Sequence, residues 1–230
     1  MRDRPASGHG MTAGPDCYRA ARTGGLAPAL ESLTAALLPG ALPYGPAGHA
    51  VTTATVAASA THAWFDGVRH DREPEGERTP AVAAVPGGPV LILRRAAPTA
   101  VGRPSAVPHH AWLSGLAWLR LGLSEALRLS CMDYLGGRRV GATATLLHQQ
   151  LVKGTVAEAV AVHLEAHAVL RALDGEASGA AERVHRLITG ADRELVRLLG
   201  ASGYVTGGVG QVADASELLA DAYCRQEPPC

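Results

Sequence analysis

The chain has 230 residues, with 21 basic and 21 acidic side chains and a formal net charge of zero. That length suits one ordinary domain or two small ones. The balanced charge argues against nucleic acid or an anionic membrane as the main partner, since both require a basic excess. Charged residues are 18% and aromatic residues 4%, with Ala, Gly and Leu filling the difference, a helix-friendly composition rather than a disordered one. Twenty Arg stand against a single Lys, and Asn is absent. This is the mark of GC-rich coding, so an Arg in place of Lys is no sign of a site.

Residues 1 to 27 read as a flexible tail of Gly, Pro, Ser and charges without periodicity and without the apolar stretch of a signal peptide. A short helix follows over 28–38, stopped by Pro39-Gly40. Residues 32–65 carry no Asp, Glu, Lys or Arg, but Pro43, Pro46 and several Gly and Thr interrupt the run, so it does not read as a membrane span. Within it, the β-branched series Val51 to Val56 predicts a strand. Ala63-Trp64-Phe65 predicts another, ending at an Asp66-Gly67 turn. After a charged loop over 71–78, segments 80–85 and 89–95 flank Pro86-Gly87-Gly88 as a hairpin. These strands are too few for a barrel or sandwich. Pro98, Pro104 and Pro108 mark a linker, so 28–105 forms a short helix with a small, reduced β region.

From His110 the period becomes helical. Trp112, Leu116, Leu119, Leu123, Leu127 and Ser130 define one face, and Gly136-Gly137 breaks it. A second helix over 145–173 directs Leu147, Leu151, Val156, Val160, Leu164 and Leu170 inward, ending at Asp174-Gly175. A third over 180–199 directs Val184, Leu187, Ala191, Leu195 and Leu198 inward, and a short fourth covers 212–223. Short breaks between long helices imply an antiparallel bundle over 106–226. The fold class is therefore mainly α.

The scattered Cys17, Cys131, Cys224 and Cys230 form neither a disulfide framework nor a zinc ribbon, and a reducing cytoplasm is the expected setting. His163 and His167 stand one helical turn apart, the spacing of a helix-borne zinc pair, but as HxExH without a third ligand, so no metal site is expected. His109-His110 at a helix start offers a base or merely a cap. Gly207-Gly208 and Gly210 follow no strand and make a weak phosphate loop. No GxSxG nucleophile elbow is present.

Three segments in order carry a resemblance. Ser114 to Arg120 (SGLAWLR) opens the first long helix. Tyr134 to Gly141 (YLGGRRVG) precedes Gln149 and Gln150, each eleven residues beyond Arg138 and Arg139 respectively. Arg197 to Tyr204 (RLLGASGY) forms a Gly-rich turn. Together these resemble the C-terminal helical domain of the acyl-CoA dehydrogenase family, in a truncated and divergent form. The resemblance implies FAD, contacted by Arg138 or Arg139, Gln149 or Gln150, Arg197, and the turn Gly200, Ala201 and Gly203. It also implies an acyl thioester, on CoA or a carrier protein, as the substrate, and a homo-oligomer, or a hetero-oligomer with a full-length homologue. A guanidinium fork suits a pyrophosphate, and a turn without side chains lets backbone N–H groups approach a cofactor.

The departures are as informative. The acidic-Pro-Gly-Ser segment that meets flavin in the family is missing. Its catalytic carboxylate positions correspond to Leu119 and, beyond Ala213-Asp214, to a place near Ala222. An apolar residue cannot abstract a proton, which names no catalytic residue and leaves Glu217 and Asp221 as substitutes only if the last helix shifts. The implied activity is FAD-linked oxidation of a CH–CH bond. The alternatives are a non-redox descendant that binds an acyl or hydrophobic biosynthetic intermediate, or a structural partner of a full-length homologue.

Overall fold

The computed structural model describes residues 10–96, 102–142, 144–173 and 178–224. Pro98 of the expected linker, the Asp174-Gly175 helix stop, Cys230 and the first nine residues of the expected tail lie outside that set. The remainder of the tail is not a tail. Helix α1 spans Gly10–Gly24, because Ala13, Cys17 and Ala21 recur every four residues and are all buried. Small residues give a weak hydropathy signal, yet they let the backbone of α1 approach its neighbour closely. A Cβ on Gly122 would stand 2.4 Å from the Tyr18 carbonyl oxygen.

Helix α2 (Leu26–Leu37) buries Leu26, Leu30 and Leu33. Strand β1 (Ala41–Tyr44) then pairs in parallel with β3 (His62–Phe65), and β3 turns through Asp66 and Gly67 into β4 (Val68–Asp71). The short β7 (Arg103–Pro104) closes this sheet's edge beside β4. A second sheet has the order β2 (His49–Thr52), β6 (Gly88–Arg94), β5 (Arg78–Val85), all antiparallel. The strand expected over 51–56 stops at Thr52. The Thr53 hydroxyl accepts from the Val56 amide at 3.3 Å and starts helix α3 (Ala54–Ser59), because a capping hydroxyl outweighs β-propensity at a chain reversal.

Helix α4 (His109–Gly137) runs through the centre of the molecule and buries Trp112, Leu116, Leu119, Leu123 and Leu127 as the period predicts. A small ribbon, β8 (Arg139–Val140) with β9 (Ala144–Thr145), leads to α5 (Gln150–Ala172), α6 (Ser178–Leu199) and α7 (Gln211–Tyr223). The phase of α5 differs from expectation. Ala159, His163, Ala166 and Leu170 are buried, while Leu151 is 87% and Leu164 64% exposed. An Ala-rich helix has apolar residues on several faces, so packing against α4 and α6 chooses the buried one. On α6, Val184, Ala191 and Leu195 are buried as expected, and His185 and Asp192 are buried with them. The molecule is mainly helical, with the strands gathered beside α2 and α7. Among the described residues, no helix is long and apolar enough to cross a membrane.

Candidate functional site

A cavity of about 700 Å3 lies between the β region and the last turns of α7. Pro46, Ala47, His49, Val51 and Ile92 wall it on one side, and Leu218, Asp221, Ala222 and Cys224 on the other. His49 and Val51 share a face because side chains two apart on a strand point the same way. A single buried phenol joins the walls. The Tyr223 hydroxyl accepts from the Val51 amide at 3.0 Å and lies within 3.2 Å of the Pro43 and Val51 carbonyl oxygens. Burial keeps it protonated. The 45–48 turn is pressed onto α7 as backbone, since a Cβ on Gly45 would fall 1.7 Å from the Ala222 carbonyl oxygen.

The two carboxylates proposed from sequence separate here. Asp221 lines the cavity, whereas Glu217 accepts from Arg193 Nε at 2.6 Å on the outer side of the bundle. Burial pushes the Cys224 thiol up to about 11, so it enters the cavity wall as a neutral group. Leu119 is buried in the core, and Ala222 contributes only a methyl to the wall.

Behind α7 lies a polar cluster that periodicity does not reveal. Arg120 on α4 is fully buried. Its Nε donates to the Ser216 hydroxyl at 3.0 Å, Nη2 to the Thr189 hydroxyl at 2.7 Å, and Nη1 to the His185 carbonyl oxygen at 3.2 Å. Nη1 also meets His185 Nδ1 at 3.0 Å, while His185 Nε2 faces the Leu113 carbonyl oxygen at 3.1 Å. A ring nitrogen facing a carbonyl must donate and one facing Arg must accept, so His185 is the neutral Nε2–H tautomer. Burial pushes it down to about 3, with Arg120 adding to the effect. Asp192 is fully buried and neither carboxyl oxygen has a hydrogen-bond partner, although the Ser124 and Ser216 hydroxyls and Arg120 favour its ionised form. Burial outweighs them and pushes it up to about 6. The only sequence signal for this cluster was polar residues at inward positions.

The histidine pair separates as well. His163 Nε2 meets the Ser124 hydroxyl at 2.8 Å, and His167 Nε2 meets Glu125 Oε1 at 2.8 Å. Glu125 also accepts from the Tyr18 hydroxyl at 2.6 Å, tying α1 to α5 through α4. Burial raises its pKa, but these two hydrogen bonds prevail and hold it below the usual carboxylate range. His109 stacks on Trp64, with ring centroids 6.0 Å apart, and places Nδ1 3.2 Å from Asp66. The 207–210 glycines belong to the turn before α7, where Gly210 lies against the Gly203 carbonyl oxygen.

Two of the segments expected at a cofactor meet at one end of the bundle. Arg138 Nη2 donates to the Tyr134 hydroxyl at 2.8 Å, its guanidinium lies 4.7 Å from that ring's centre, and the Tyr134 hydroxyl is 2.6 Å from Ser202 Oγ. The end of α4 is thereby joined to the Gly-rich turn. Arg138, Arg139, Gln149, Gln150, Arg197, Gly200 and Ala201 are exposed, with Arg197 paired to Glu194. Gly203 differs. It is buried, and a Cβ there would stand 2.9 Å from Val196, so the packing of the turn already requires glycine. The exposed set offers guanidinium forks and amide donors to an anionic group arriving from outside the chain.

No protein-family model matches the chain, and no curated protein matches it. Solved structures do. A butyryl-CoA dehydrogenase from Megasphaera elsdenii superposes with a TM-score of 0.50 at 12% identity, covering 82% of this chain and 60% of that one. A putative acyl-CoA dehydrogenase from Mycobacterium smegmatis gives 0.53 at 14% identity, covering 94% and 70%. A glutaryl-CoA dehydrogenase from the same organism, in complex with FADH2, gives 0.50 at 13%, covering 78% and 56%. The fold is thus a mainly α, acyl-CoA dehydrogenase-like fold, and the chain spans 56% to 60% of the length of the glutaryl-CoA and butyryl-CoA structures.

Proposed function

We propose that the protein is a FAD-linked oxidoreductase acting on a CH–CH bond of an acyl thioester carried on CoA or a carrier protein. It works in the cytoplasm as an oligomer with another copy or with a full-length homologue. The observation that carries this reading is the apolar cavity between the β region and α7 with the Asp221 carboxylate in its wall. The acyl chain occupies the apolar walls and Asp221 takes the α-proton. FAD, when bound, supplies the hydride acceptor. Arg138 and Arg139 hold its pyrophosphate, with Gln149, Gln150 and the 200–201 turn as hydrogen-bond donors. Because those residues are exposed, the assembly of subunits encloses the cofactor.

The test is the visible spectrum of the purified protein after reconstitution with FAD, alone and with a full-length homologue. A flavin spectrum supports the reading, and a colourless protein in both arms overturns it. Combined Arg138→Ala and Arg139→Ala substitution should lower FAD affinity at least tenfold without shifting the melting temperature.

A second reading, a non-redox descendant that binds an acyl group, is favoured by the 45–49 turn. That turn, Gly-Pro-Ala-Gly-His, puts an imidazole into the cavity wall.

A further inference from the structure

We propose that His49 is a catalytic residue that works with Asp221 to labilise the α-proton of an acyl thioester without any flavin. This rests on the acyl-thioester reading above and adds a second group and a cofactor-independent reaction to it.

Three features place the pair. Both side chains line one cavity whose other walls are apolar apart from the Cys224 thiol, and that thiol is neutral. The strand and helix that carry them are stapled together two residues further on, since Val51 and Tyr223 share the buried hydrogen bond at 3.0 Å. The backbone before His49 is also held. The Gly45 amide donates to the His49 carbonyl oxygen at 2.8 Å, Gly48 adopts a φ of +75°, and Gly45 lies directly against Ala222, the neighbour of Asp221. The spacing between imidazole and carboxylate is thus set by backbone contacts and not by a mobile loop.

The chemistry balances without an oxidant. The Asp221 carboxylate takes the α-hydrogen as a proton. The electron pair of that C–H bond forms a C=C bond while the C=O π pair moves to the thioester oxygen, giving an enolate. The His49 N–H donates a hydrogen bond to that oxygen. In D2O the Asp221 proton is replaced by a deuteron, and its return to the α-carbon regenerates the thioester with one deuterium. The net reaction is hydrogen exchange.

The experiment incubates flavin-free protein with butyryl-CoA in D2O and follows α-deuteration by mass spectrometry, beside calorimetric binding of the same thioester. Wild type is expected to exchange. Asp221→Asn should lose at least a hundredfold in rate. His49→Ala should lose at least tenfold with the melting temperature retained, and His49→Gln, whose side-chain amide keeps an N–H donor, should recover part of the loss. Absence of exchange in wild type overturns the proposal, as does a His49→Ala rate equal to wild type. A colourless protein that still exchanges would sink the flavin reading alone. A yellow protein that does not exchange would sink only this inference.

Discussion

The fully buried Arg120 guanidinium donates to the Ser216 hydroxyl at 3.0 Å and so fastens the middle of α4 to α7, the helix that carries one wall of the cavity. Arg120→Ala would leave Ser216, Thr189 and both acceptors of His185 without their donor and would open a void. Its expected cost is about 3–5 kcal/mol, read by urea unfolding. Arg120→Met fills the volume without a charge to desolvate and should cost less than the Ala variant. Equal losses for the two variants would contradict this account.

Asp192 should be costly to the fold at neutral pH. Its folded pKa, about 6, lies above the ordinary aspartate value of 3.8 because burial disfavours the charge. The folded state therefore holds its proton more strongly, and stability from this group falls as pH rises from about 4 to 6. Asp192→Asn is expected to be at least as stable as wild type at pH 7, with any advantage vanishing by pH 4. A melting temperature well below wild type at pH 7 would show instead that Arg120 requires the carboxylate as its counter-ion.

His163 and His185 act in the opposite direction. Burial pushes them down to about 4 and about 3, from 6.5. Their contribution is fully present above pH 6.5 and is lost as pH falls through their folded values, because the unfolded chain takes up their protons first. Two such protons outweigh the one retained by Asp192, so net stability should fall from pH 6.5 towards pH 4. His163→Gln should flatten that fall by about 1.4 kcal/mol per pH unit, the equivalent of one proton. Unfolding titrations at several pH values read it directly.

Tyr223→Phe removes the hydroxyl that satisfies the buried Val51 amide. The orphaned N–H should cost about 1–3 kcal/mol. On the proposed function, thioester binding in the cavity should weaken with it, because the same bond holds β2 to α7. Calorimetry and thermal melting together check both effects, and a Phe variant with wild-type affinity would separate the staple from the cavity.

Gly45→Ala would drive a methyl into the Ala222 carbonyl oxygen. The turn must then lift from α7, at about 1–3 kcal/mol. The loss in ligand affinity should exceed that of Gly154→Ala, an open helix position where a Cβ meets nothing within 4 Å and stability should rise slightly.

Much of the helical frame was legible in the residues. Trp112 through Leu127 announced α4, and the limits of α2, α6 and α7 fall close to their expected places. Helix α1 was not legible, since Ala13, Cys17 and Ala21 are too small to raise a hydrophobic period even though they seal tightly against α4. The phase of α5 was misread for the converse reason. Leu151 and Leu164 carry the strongest local signal but face outward, and only the neighbouring helices decide which side of an Ala-rich helix is buried.

The site divides along the same line. By itself the sequence determined the helical bundle, the Asp66-Gly67 turn and the 86–88 hairpin turn, because periodicity and turn chemistry act over a few residues. The family resemblance named no catalytic residue and offered Glu217 and Asp221 only as substitutes, without ranking them. Only the tertiary structure decided that Glu217 meets Arg193 while Asp221 meets the cavity, that His49 stands in the opposite wall, and that Arg120, His185 and Asp192 share one buried cluster. Those relations join residues 24 to 172 positions apart, and no local property of the chain encodes which distant side chain will satisfy a buried polar atom.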